Sequence, residues 1–168
     1  MMIPSYLNFN RNQEVKQAGL FIKNIIRDTQ NRSQSGEKEL SSCSPLVGFY
    51  GQFSTGVNTF LTGGRCAASD FDTLSNKLPS NKVTISAFYN ASSYPTAACS
   101  EIAMNNGSLR LMFKTINQGV DFFDWNSGSD MGTALSYTKI GIEVTNSAGS
   151  KYVIIIGNNG EIYDITGC

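Results

Sequence analysis

Two hydrophobic periods divide the chain. In "QEVKQAGLFIKNIIRDTQNRSQSGEKE", residues 13 to 39, Val15, Ala18, Ile22, Ile25, Ile26 and Thr29 recur every three or four positions. That spacing places them on one stripe of an α-helix and puts Lys16, Lys23 and Arg27 on a separate, solvated face. A helix from about Asn10 to Arg32 follows, roughly 30 Å long at 1.5 Å per residue. Ser35 and Gly36 supply its stop, because glycine accepts the left-handed backbone of a C-terminal cap.

Beyond the helix the period falls to two. "LVGFYGQF" (46–53), "VNTFL" (57–61), "KVTISAFY" (82–89), "LRLMF" (109–113), "KIGIEV" (139–144), "YVIIIG" (152–157) and "EIYDI" (161–165) read as strands. The breaks between them are rich in Gly, Asn and Ser. "NSAGS" (146–150) and "NNG" (158–160) are turn chemistry, so the last three strands should form an antiparallel meander. Ile140, Ile142 and Val144 then share one face, on which the helix can lie. The fold class expected is α+β: a long N-terminal amphipathic helix, residues 1–36, packed on an antiparallel sheet or small β-sandwich head, residues 37–168.

Composition narrows the chemistry. With 168 residues, 40% of them hydrophobic, the chain is long enough for one domain to bury a core. Lys plus Arg and Asp plus Glu number 13 each, so no global field favours nucleic acid or an anionic surface. The absence of histidine excludes a Ser/His/Asp triad, a Cys/His pair and every His-containing zinc site built from this chain alone. The four cysteines, Cys43, Cys66, Cys99 and Cys168, stand singly with no CxxC spacing, which points to two disulfides formed in an oxidising compartment. Three connectivities are open. The expected one joins Cys43 to Cys66, which are near in sequence, and Cys99 to Cys168, which would pin the C-terminus.

"DFFDWNSGSDMG" (121–132) imitates the start of a calcium loop, with Asp124, Asn126 and Asp130 at positions 1, 3 and 7. Gly128 then falls where a side-chain ligand is usual, and Leu135 where a glutamate is needed, so a polar loop flanked by aromatics is expected instead. Trp125, Phe122 and Phe123 would be edges of the core. No carboxylate pair has a spacing that identifies a catalytic constellation, and nothing in the chain calls for a cofactor. "MMIPSYLNF" is too short and too polar for a signal-peptide core or a membrane span, and reads as the stub of something longer.

"NRNQEVKQAGLFIKNIIRDTQNRSQSGEKE", followed by "CSPLVGFYGQF", "LPSNKVTIS" and the closing "KYVIIIGNNGEIYDITGC", resembles the H-type pseudopilins and FimT-like minor pilins of type IV filament systems. "QNRSQSGEK" is similar to the end of their helix, and "GNNGEIYD" to the closing hairpin of their head. The resemblance implies a structural subunit of a type IV pilus or type II secretion-like filament, not an enzyme, that takes part in assembly or priming. It also implies a preceding apolar half-helix anchored in the inner membrane before assembly, partners that are other pilin subunits, and a final place at the cell surface. In such a subunit Val15, Ala18, Ile22, Ile25 and Ile26 pack the helix on the head. Two alternatives within the resemblance are a tip adhesin and a DNA-binding minor pilin of natural transformation. For DNA, Arg65, Arg110 and Lys114 are the candidate contacts, with Lys77 and Lys82 further basic residues. Against DNA, the tail "GNNGEIYDITGC" carries Glu161 and Asp164 but no Lys or Arg to neutralise phosphates.

Overall fold

The computed structural model describes residues 3–36, 43, 45–67, 69–104, 107–115, 119–125 and 131–165. Among these described residues a single long helix, α1 (Ile3–Ser35), precedes eleven strands. These are β1 (Leu46–Ser54), β2 (Thr59–Cys66), β3 (Asp70–Lys77), β4 (Val83–Asn90), β5 (Ser100–Glu101), β6 (Ser108–Lys114), β7 (Val120–Asp124), β8 (Thr133–Leu135), β9 (Lys139–Asn146), β10 (Lys151–Gly157) and β11 (Ile162–Ile165). The strands form two antiparallel sheets, one in the order β3-β2-β1-β6-β7-β8 and the other β11-β10-β9-β4-β5. The fold is therefore α+β, with the helix against both sheets.

Helix α1 spans 33 residues, about 50 Å, and begins earlier than its apolar stripe. Pro4 in the first turn accounts for the early start: a proline there removes an N–H that has no helical partner in any case. Its end is where the sequence puts it, with Gly36 at φ +62° and its N–H bonded back to the Ser33 carbonyl. The buried line along the helix runs Val15, Ala18, Gly19, Ile22, Ile26, Thr29 and Ser33, steps of one helical face. Ile25 packs on the core from the flank: it lies about 60° from the centre of that line, given 3.6 residues per turn, and is partly buried.

One apolar cluster joins the three layers. Val15, Ala18, Ile22 and Ile26 of the helix meet Phe53, Phe60, Leu109, Leu111, Phe113 and Phe122 of the first sheet, and Ile85, Phe88, Ile140, Ile142, Val144, Ile154 and Ile156 of the second. The expected alternation of Ile140, Ile142 and Val144 faces this core. Segments 1–36 and 37–168 thus share one core. A second, smaller cluster of Ala91, Val153 and Ile155 lies under Tyr94, Tyr163 and Ile165. Gly19 is needed because the Tyr152 ring lies directly on the helix backbone there, where any Cβ would overlap it.

The β9-β10-β11 meander forms as its turn residues predict, with Gly149 and Gly160 at φ +81° and +86°. Four strands go beyond the sequence pattern. β3, "DFDTLSNK", is polar and almost wholly exposed at the sheet edge, so it has no alternation to reveal it. It carries a bulge at Asp72, φ +48°, where the ladder to β2 shifts. β5 and β8 are two and three residues long. β7 corrects the reading of residues 121–132 as a loop: Val120, Phe122 and Asp124 are buried and residues 120–124 pair with β6. Asn126, Gly128 and Asp130 lie outside the described residues.

Candidate functional site

The helix is fastened to the head along its length by polar contacts as well as by its apolar line. Asn146, which closes the β9–β10 turn, donates from Nδ2 to the Arg11 carbonyl at 2.9 Å. Gln30 Nε2 donates to the Gly160 carbonyl at 3.0 Å and Ser33 Oγ to the Phe113 carbonyl at 2.6 Å. The Arg32 guanidinium sits 4.8 Å from the centre of the Phe49 ring. Lys23, expected on a solvated face, instead pairs with Asp164 of β11.

That pair makes docking pH-sensitive. The Lys23 hydrogen bond, aided by the neighbouring Tyr152 hydroxyl, holds the Asp164 carboxyl below its usual range, while burial raises the pKa of Tyr152. A carboxyl with a depressed folded pKa adds stability that is complete above the unfolded value, about 3.9, and is lost as pH falls through the folded one. Thermal melts carried from neutral pH to well below about 4 should therefore show an acid-dependent loss, no more than about 1 kcal/mol for a partly exposed pair. Asp164→Asn should remove that part of the slope. An unchanged slope in the variant would assign the acid sensitivity elsewhere.

Not all of the helix is covered. Leu7, Phe9 and Leu20 are 46%, 58% and 39% exposed, so apolar surface continues along the helix outside the head.

A dense polar cluster lies on the first sheet, on the face opposite Phe53 and Leu109, as strand alternation requires. Here the order β3-β2-β1-β6 brings together Asp70, Arg65, Tyr50, Gln52 and Arg110. Arg65 Nη1 donates to Asp70 Oδ1 at 3.0 Å, and Arg110 Nη2 to Asp70 Oδ2 at 3.1 Å and to Gln52 Oε1 at 2.8 Å. The Arg110 guanidinium lies 4.3 Å from the Tyr50 ring centre and 5.0 Å from that of Trp125. Tyr50 OH and Thr73 Oγ1 are 3.0 Å apart. Burial lowers the pKa of Arg110, opposed by Asp70, and raises that of Tyr50. Two cations share one carboxylate, and the two aromatic faces offset the excess positive charge.

This arrangement revises the candidate DNA contacts. Arg65 and Arg110 are 5% and 2% exposed and both are turned onto Asp70. Lys114 is apart from them, in an exposed pair with Asp121 at 2.8 Å. The three do not form a phosphate-facing patch.

A third cluster, on the second sheet, had no signal in the sequence. Glu143 is buried and accepts from Ser86 Oγ at 2.8 Å, Tyr89 OH at 3.1 Å and Lys151 Nζ at 3.1 Å. Burial, then Glu143, pushes the Tyr89 pKa up to about 12.

Cys43 and Cys66 form a disulfide, with Cα atoms 5.4 Å apart, as expected. Cys99 is also disulfide-bonded; its expected partner, Cys168, lies outside the described residues. Among the described residues no group of three or more acidic or cysteine side chains is placed to hold a metal ion. No helix among them is long and apolar enough to cross a membrane. Compared with known proteins, the chain matches no family model, no curated protein and no solved structure, so its function has to be argued from its own residues.

Proposed function

We propose that this chain is a structural filament subunit, the helix and head of a type IV pilin-like or H-type pseudopilin-like protein that takes part in assembly or priming at the cell surface. The observation that carries the reading is the divided helix. Its Val15–Ser33 line is sealed by the head, while Leu7, Phe9 and Leu20 stay exposed on the same rod. A rigid helix fastened to a β-rich head from Arg11 to Ser33, with apolar side chains left exposed toward its N-terminal end and on its outer side, is suited to packing against other helices of the same kind. Such a subunit does its work by shape and contact rather than by catalysis. The resemblance of "QNRSQSGEK" and "GNNGEIYD" to the pilin helix end and closing hairpin supports the same reading. The DNA-binding alternative is weakened, because two of its three cations are buried.

A photo-crosslinking residue placed at Phe9 in the native host should capture other filament subunits, identified by mass spectrometry. The same probe at Ala97, exposed in the β4–β5 connection of the head, should capture fewer or none. Equal capture at both positions, or none at Phe9 in cells that make filaments, would overturn the assignment.

A further inference from the structure

We propose that the seam between the two sheets is a binding cleft for a neutral sugar residue. The cavity, about 520 Å³, lies where the chain leaves β8 of the first sheet for β9 of the second. Its walls are β7, the crossover at 134–138 and Asn158 of the β10–β11 turn. Backbone bonds tie these walls together: Val120 N donates to the Asn158 carbonyl at 2.8 Å, and Asn158 N to the Thr138 carbonyl at 2.8 Å. The cleft is thus held open by the fold, which lowers the ordering cost of binding. Its volume falls within the small-ligand range of roughly 300–1,000 Å³.

The lining selects the ligand class. Phe123 and Tyr137 are partly exposed aromatic side chains of the lining, and the negative quadrupole of an aromatic ring attracts the C–H face of a pyranose. Asp121, Ser136, Thr138 and Asn158 border the same space. The hydroxyls of Ser136 and Thr138 and the amide of Asn158 are exposed and engaged in no hydrogen bond within the described residues, so they are available to ligand hydroxyls. Charge does not favour an ion: the Asp121 carboxylate is already neutralised by Lys114 at 2.8 Å. A fully apolar ligand is disfavoured too, since Asp121, Ser136, Thr138 and Asn158 share the lining with the aromatic side chains. A neutral, many-hydroxyl ring with one apolar face satisfies both surfaces. This inference does not depend on the filament reading.

The test is saturation-transfer NMR on the intact chain with a panel of neutral mono- and disaccharides (glucose, galactose, mannose, N-acetylglucosamine, lactose). At least one should show transfer concentrated on ring C–H protons, with an affinity in the millimolar range. Tyr137→Ala should weaken that affinity at least tenfold. Thr138→Val and Asn158→Ala alter only exposed side chains and should weaken it without changing the melting curve, so a folding defect in Tyr137→Ala would not leave the question open. Absence of transfer from every sugar, or transfer that all three variants leave unchanged, would remove the proposal.

Discussion

Ile22→Asp should unfold the domain or leave it barely folded at room temperature. Ile22 is fully buried at the centre of the helix line, between the two sheets. No cation faces it from the apolar side chains that share its cluster, so a carboxylate there is either charged without a partner or forced to bind a proton. Either state, added to the lost apolar burial, costs on the order of 4 kcal/mol or more, a large fraction of what holds a domain together. Leu20→Asp, two positions away on the exposed side, should change stability by no more than about 0.5 kcal/mol. Urea unfolding of the two variants beside the parent reads the difference directly. If Ile22→Asp melted like the parent, the helix would not be packed between the sheets.

The second large effect belongs to Asp70. Removing its carboxylate in Asp70→Ala leaves the buried guanidinium groups of Arg65 and Arg110 facing each other without their shared counter-ion. Losing one member of a buried ionic cluster costs about 3–5 kcal/mol, and the lower end is expected here because Asp70 is partly open to water. The diagnostic is the double variant. Asp70→Ala with Arg110→Met removes the excess charge along with its partner, so it should be less destabilised than the two single changes added together. Simple additivity would mean that the cluster acts by packing and not by charge. Lys114→Ala, which breaks only an exposed pair, should shift stability by less than about 1 kcal/mol.

These sites differ in how far the sequence could reveal them. The helix line was legible because Val15, Ala18, Ile22 and Ile26 repeat at helical spacing, and the closing meander because Gly149 and Gly160 mark its turns. The depth of Ile25 was not legible, because the spacing rule admits a flank position as readily as a central one. The edge strand β3 was hidden because an edge needs no buried face, and β7 because its alternating Val120, Phe122 and Asp124 sit among residues that also suit a loop. The Asp70 cluster could not be read at all. Its members come from four neighbouring strands, and their adjacency depends on the order β3-β2-β1-β6, which no local pattern encodes. Arg65 and Arg110, seen as isolated cations in a sequence, looked available for phosphate; the sheet order is what gives them a shared carboxylate.

The Cys43–Cys66 bond also determines how the head would bear a pull on its helix. Leu46 and Cys66 are cross-strand partners at one end of the β1–β2 ladder, and Cys43 lies just before Leu46 in the chain. Tension passing down the helix reaches Cys43 and there divides between the start of β1 and the end of β2. Without the bond, β1 alone would take the load and could be stripped from its neighbours one hydrogen bond at a time. With it, the hairpin is drawn as a unit, and the strands on either side, β3 and β6, must yield together before either β1 or β2 comes free.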